Sequence, residues 1–244
     1  MGHLPGIGHI MAGVRGPNLR YVGGYAVGFA GTVGNTTVTL GSLTGGLAAT
    51  PAANDLVILA YNITSGLTGN EDVTVVTSGY TELADLYADD LYDANLGVFW
   101  KIMGATPDTS VDVGPTGQAD NGGAVAVHVW RGAHLTTPID VTTTTATGTN
   151  SSLANPATIT PVTLGAIILA IGGSGHGDGT QTFTHAVFGN LATAGVSDVY
   201  DSTVGIASFA GWLSGAYDPA AFGYSTTDDT NNSWCAATVA IRPA

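Results

Sequence analysis

Three blocks of this sequence recur in the same order at one spacing. The run DLVILAY at 55–61 returns as GAIILAI at 165–171, and VFWKIMGATPD at 98–108 returns as FAGWLSGAYDP at 209–219. The run GAVAVHVWRGA at 123–133 returns as WCAATVAIRPA at 234–244. The three spacings, 110, 112 and 111 residues, agree across more than seventy positions, which reads as a duplicated unit of about 110 residues. Trp100 and Trp212 form one repeat pair, and Arg131 and Arg242 form another. Each unit carries an apolar strand, an Asp/Thr-rich excursion, a Trp strand, a turn and an alternating strand ending in Arg. That order suggests meanders or Greek keys with about five strands per unit. Packing the two units face to face buries the alternating faces of both. The expectation is an all-β chain: a two-sheet β-sandwich, jelly-roll-like, forming one domain over 21–244 from units at about 21–133 and 134–244. Two independent sandwiches of about 110 residues are the alternative. Residues 1–20 stand outside the repeat, as a disordered leader or as an arm that orders on a neighbouring subunit.

Composition supports the β reading and removes several functions. Gly accounts for 36 of 244 residues and only 9% are charged, so Gly or Pro interrupts nearly every helix-length window. The best helical candidate, 80–92, serves equally as strand and loop. Eighteen acids against five bases give a net charge of −13, too few cations to displace counterions from a nucleic acid. Cys235 is the sole cysteine, so neither an intrachain disulfide nor a thiolate metal cluster can form. The longest apolar runs are too short to span a membrane as helices, and 1–16 lacks the basic and apolar segments of a secretory signal.

Candidate chemistry is sparse. No Gly-x-Ser-x-Gly elbow occurs, and Ser174, His176 and Asp178 share one loop without the geometry of a triad. His128 lies mid-strand, with its side chain expected opposite to those of Val127 and Val129; His134 and Asp140 flank the following loop. Glu71 and Glu82 are the only glutamates, which leaves little for a two-carboxylate glycosidase. Glu82, Asp85, Asp89, Asp90 and Asp93 suit either a divalent cation or a solvated acidic loop, and lack the EF-hand pattern. Asp228 and Asp229 follow the same logic. His3 and His9, like His176 and His185, have no zinc-site spacing. No catalytic residue, metal site or cofactor is therefore assigned, and the chain is read as a non-enzyme.

Among the aromatics, Trp100, Trp130, Trp212 and Trp234 are expected in the core, although a sugar-stacking platform is the other use of such residues. A recognition surface is better sought in the first excursion, at Tyr80, Tyr87, Asp89, Asp90, Tyr92 and Asp93, because loops carry binding on such scaffolds. Arg131 and Arg242 end equivalent strands, where acids are expected to satisfy both.

Several motifs also resemble a known group. The run RYVGG at 20–24 leads into TTVTL at 36–40, SLTGG at 42–46 and NDLVI at 54–58. GATPDTS at 104–110, VWRG at 129–132 and the terminal VAIRP at 239–243 follow. Together these are similar to β-rich proteins encoded in tailed phages and prophages of Gram-negative, largely alphaproteobacterial, hosts. The resemblance covers about 20–244, and its motifs are structural. It implies a virion protein exposed as a spike, fibre, tail-tip or capsid decoration, with other virion proteins as partners. Self-assembly as a homo-oligomer, a trimer favoured, is expected because virion surfaces are built from symmetric copies, and host-surface glycan is a candidate further contact. A carbohydrate-binding, lectin-like adhesion module is the alternative. Neither nucleic acid nor membrane insertion is expected, and a net negative charge keeps crowded copies apart.

Overall fold

The structure, a computed structural model, describes residues 19–30, 34–65, 69–71, 73–115, 122–149, 153–175, 183–185, 193–197, 203–209, 214–224 and 233–244. Among them there is no helix. The first eight strands are β1 (Arg20–Ala30), β2 (Thr36–Thr39), β3 (Leu56–Ser65), β4 (Val73–Val75), β5 (Thr81–Ala88), β6 (Asp93–Ile102), β7 (Ser110–Pro115) and β8 (Gly122–Arg131). The next eight are β9 (Thr144–Gly148), β10 (Leu153–Ala154), β11 (Ile167–Ser174), β12 (Phe183–His185), β13 (Thr193–Ser197), β14 (Thr203–Phe209), β15 (Phe222–Tyr224) and β16 (Trp234–Ile241). All pair antiparallel.

These strands form four sheets. Two have five strands, in the orders β1-β8-β3-β6-β5 and β13-β14-β11-β16-β9. Two have three, in the orders β2-β7-β4 and β10-β15-β12. The sequence reading expected two sheets and about five strands per unit. The difference has a physical cause in the central strands, which are apolar on both faces. Leu56, Ile58 and Ala60 of β3 enter one apolar cluster, while Val57, Leu59 and Tyr61 enter another. A sheet that is apolar on both faces needs cover on both.

The first cluster lies between the five-stranded sheets. It joins Leu56, Ile58, Leu96 and Val98 to Leu169, Ile171, Ile206 and Val239. The second lies outside it, where Val38, Val73, Val111 and Val113 of the first three-stranded sheet cover Val57, Leu59, Val125 and Val127. A smaller cluster of Ile159, Ala166, Ile168 and Ala240 occupies the outer face of the second five-stranded sheet. Short outer strands of two to six residues therefore complete the burial that the long inner strands begin.

Two seams join the first eight strands to the last eight. At one, Asn62 Nδ2 donates to the Ser174 carbonyl at 3.0 Å and Ser233 Oγ donates to the Tyr92 carbonyl at 2.7 Å. A Cβ on Gly173 would collide with the Asn62 amide, so the glycine is what lets β3 and β11 approach. At the other seam, Ala133 bridges Pro243, and Ala244 N donates to the Gly132 carbonyl at 2.9 Å. The central strand of each five-stranded sheet is entered through a left-handed residue, Asn54 (φ 68°) before β3 and Gly165 (φ 83°) before β11.

Candidate functional site

The acidic excursion is a strand and a turn. β5 is an end strand of its sheet, and 89–92 form the turn into β6. Asp93 lies inside the fold: it is fully buried and opens β6 opposite Ser65. Its Oδ2 accepts from the Tyr87 hydroxyl at 3.0 Å and its Oδ1 from Asp90 N at 3.0 Å. Burial raises the Asp93 carboxyl above its ordinary value, with the two hydrogen bonds opposing. Tyr87 also accepts from Gly69 N at 3.2 Å. Burial, then the bond to Asp93 and its charge, push its hydroxyl up to about 12. Asp93, Tyr87 and Asp90 thus close the β5–β6 turn.

Tyr80 is half-buried and packs against the outer apolar cluster. Its ring lies 5.1 Å beneath Lys101 Nζ, which also contacts Asp108 at 2.6 Å and the Ser78 carbonyl at 2.9 Å. Burial, with Asp108 adding, raises the Tyr80 hydroxyl. Asp90 Oδ1 accepts from Leu91 N at 2.8 Å, within the same turn. Asp89 is exposed, and Tyr92 is half-exposed beside Leu91, which is 59% exposed. Among the described residues, no group of three or more His, Cys, Asp or Glu is arranged to hold a metal ion.

The two rim arginines differ. Arg131 binds Asp55 through Nε and Nη2, both at 2.8 Å, a bidentate pair with a fully buried carboxylate. Asp55 Oδ2 also accepts from Ala52 N at 2.7 Å. Arg242 instead donates to the Thr137 hydroxyl at 3.2 Å, so its partner is a hydroxyl and not the expected acid. Three residues before Arg131, His128 is fully buried beside Tyr21 and Trp130 on the layer between the five-stranded sheets. Val127 and Val129 point to the opposite, outer cluster. Burial lowers the imidazole to about 3.

Trp130 is core, Trp100 is half-buried against the inner cluster and Trp234 is half-buried. Ser174 is buried at the end of β11, and Cys235 is buried with its thiol raised by burial. Trp212, His3, His9, His176, Asp178, Asp228, Asp229 and residues 1–18 of the leader lie outside the described residues, as do the side chains of β12, including His185. Asp55 and Tyr21 were not singled out from sequence. A lone acid heading an apolar strand, with a lone Arg closing the strand beside it, was the available signal for Asp55. No family model matches this chain, and no curated protein or solved structure matches it.

Proposed function

We propose that this chain is a non-enzymatic structural component of a tailed-phage virion, exposed on the particle as a spike, fibre, tail-tip or capsid decoration. It assembles with other virion proteins and with copies of itself. The observation that carries this reading is the use made of its ionic and phenolic groups. Asp55 and Arg131 hold each other, Asp93 ties Tyr87 to the β5–β6 turn, and Lys101 joins Asp108 to the Ser78 carbonyl. Each acts as a strut within a stiff body.

We read that body as a duplicated β-sandwich, jelly-roll-like, in which two eight-stranded units share the inter-sheet core. Matching β1–β8 in turn to β9–β16 converts the order of each N-terminal sheet into that of its C-terminal counterpart. Registers agree as well: Leu56 faces Trp130 across β3 and β8, and Ile167 faces Ile241 across β11 and β16, each residue displaced by 111. The turns entering β3 and β11 carry the same bond, Asp55 N to the Ala52 carbonyl and Ala166 N to the Thr163 carbonyl, both 3.1 Å.

Mass spectrometry of purified particles, together with native mass spectrometry of the isolated chain, tests the assignment. The expected result is the chain in multiple copies per particle and a homo-oligomer, a trimer favoured, in solution. A strict monomer without affinity for particles overturns it. A second reading, a carbohydrate-binding adhesion module, is favoured by Leu91 and Tyr92 at the β5–β6 turn. It predicts glycan-array binding that Tyr92→Ala abolishes, and a silent array removes it.

A further inference from the structure

His128 occupies the middle of β8, opposite Gly24 of β1 on one side and Ile58 of β3 on the other. It is 0% exposed, and neither ring nitrogen has a hydrogen-bond partner. Buried polar groups are ordinarily paired, so an imidazole with two unmet nitrogens calls for an explanation. The Tyr21 ring meets it edge-on with centroids 5.1 Å apart, and the same ring lies 5.1 Å from that of Trp130. A Cβ on Gly24 would collide with the Tyr21 hydroxyl and come within 3.1 Å of His128 Cδ2. The three rings therefore fit only because β1 carries glycine there. At the register-matched place, β16 carries the apolar Val239, which faces Leu169.

Among the described residues, the surroundings offer a charged ring no partner. Arg20 is exposed at the start of β1, Arg131 is bound to Asp55, and burial keeps Tyr21 protonated. On this face β3 presents Leu56, Ile58, Ala60, Asn62 and Thr64, none of them charged. Across the layer, 193–197 and 203–209 contain no titratable residue, nor does 43–48 beside β1. β1 ends its sheet, its ladder to β8 is broken by a bulge between Tyr21 and Gly23, and its outer side is held by backbone bonds to Thr44, Leu47 and Ala48. Moving β1 is thus the shortest way to hydrate the ring, whereas β3 on the other side is the centre of the sheet.

We propose that His128 is a proton-sensitive latch: its protonation frees β1, with the 43–48 segment, from β8 while β3, β6 and β5 stay paired. Sign and size follow from linkage. The buried ring titrates near 3, against about 6.5 when hydrated. The latch is therefore intact above about pH 6.5, and each unit below favours the open form about tenfold until the folded value is reached.

Amide hydrogen exchange on the full chain, corrected for intrinsic rates, tests this. Between pH 7.5 and 4.5 the opening constant of peptides covering 20–30 and 43–48 is expected to rise about a hundredfold, with β3 and β6 unchanged. His128→Val, which installs the residue of β16, is expected to abolish the rise. Equal protection at both pH values, or loss in β3 together with β1, overturns the latch. Should that variant not fold, an NMR titration of the His128 ring in the unaltered protein decides. The ring must stay neutral until β1 exchange rises, and titration near pH 6.5 with β1 still protected ends the proposal.

Discussion

The first eight strands and the last eight build the same sheet orders with different interiors. At positions 111 residues apart, Asp55 stands where the second half has Ala166, His128 where it has Val239, and Asn62 where it has Gly173. The first half thus holds a buried carboxylate bound to Arg131, an unpaired imidazole and a projecting amide; at those places the second has Ala166, Val239 and Gly173, and it keeps only the arginine, as Arg242. The polar set is dispensable for forming the sheets, because the second half forms them without it. Its energetic role is local, as argued for other buried charges: an apolar replacement of both partners is tolerated, while removal of one partner is not.

Four substitutions put that contrast under strain. Asp55→Ala leaves the Ala52 amide without its acceptor and the partly exposed Arg131 guanidinium without its carboxylate, and should lower unfolding stability in urea by about 2 kcal/mol. A loss no larger than that of a surface alanine would mean that the halves are alike at this rim. Gly173→Ala forces a methyl against the Asn62 amide at the seam. It should cost about 2 kcal/mol by thermal melting, and pairing it with Asn62→Gly should recover most of that loss. Tyr87→Phe removes the hydrogen bond to Asp93 and the one accepted from Gly69 N, about 1 kcal/mol in all, and should speed amide exchange in the β5–β6 turn and at Gly69 before any other region. Smallest of all, Arg242→Ala breaks a single exposed contact to Thr137 and should leave the urea midpoint within about 0.5 kcal/mol of the parent. If it matched Asp55→Ala, the two rims would be equivalent after all.

How much of this was legible in the sequence follows from strand length. β3, β6, β8, β11 and β16 are eight to ten residues long, and their patterns mark them. The opposed faces of β8 were readable too, since small residues and His128 alternate with valines. Alternation at 36–40 and 73–77 marks β2 and β4 as strands, but β10, β12 and β15 have two or three residues, too few for a period to register, so the outer strands were not legible as separate sheets. The excursion looked like a binding loop because Asp and Tyr usually face water. Its pairing with β6 and the burial of Asp93 depend on contacts that local composition does not encode. The Asp55–Arg131 pair spans 76 residues, and only the register of β3 against β8 brings it together.

The two-sided burial of β3 and β8 also sets where this molecule can vary. In a sheet with one wet face, half the side chains are free to drift. Here Leu56 through Ile63 and Gly122 through Trp130 have no wet face, and substitution at any of them is a packing event. Among the described residues, novelty in what the protein presents to its surroundings therefore falls to the thin outer sheets, the end strands β5 and β9 and turns such as 89–92, a narrow margin laid over an interior that selection can hardly touch.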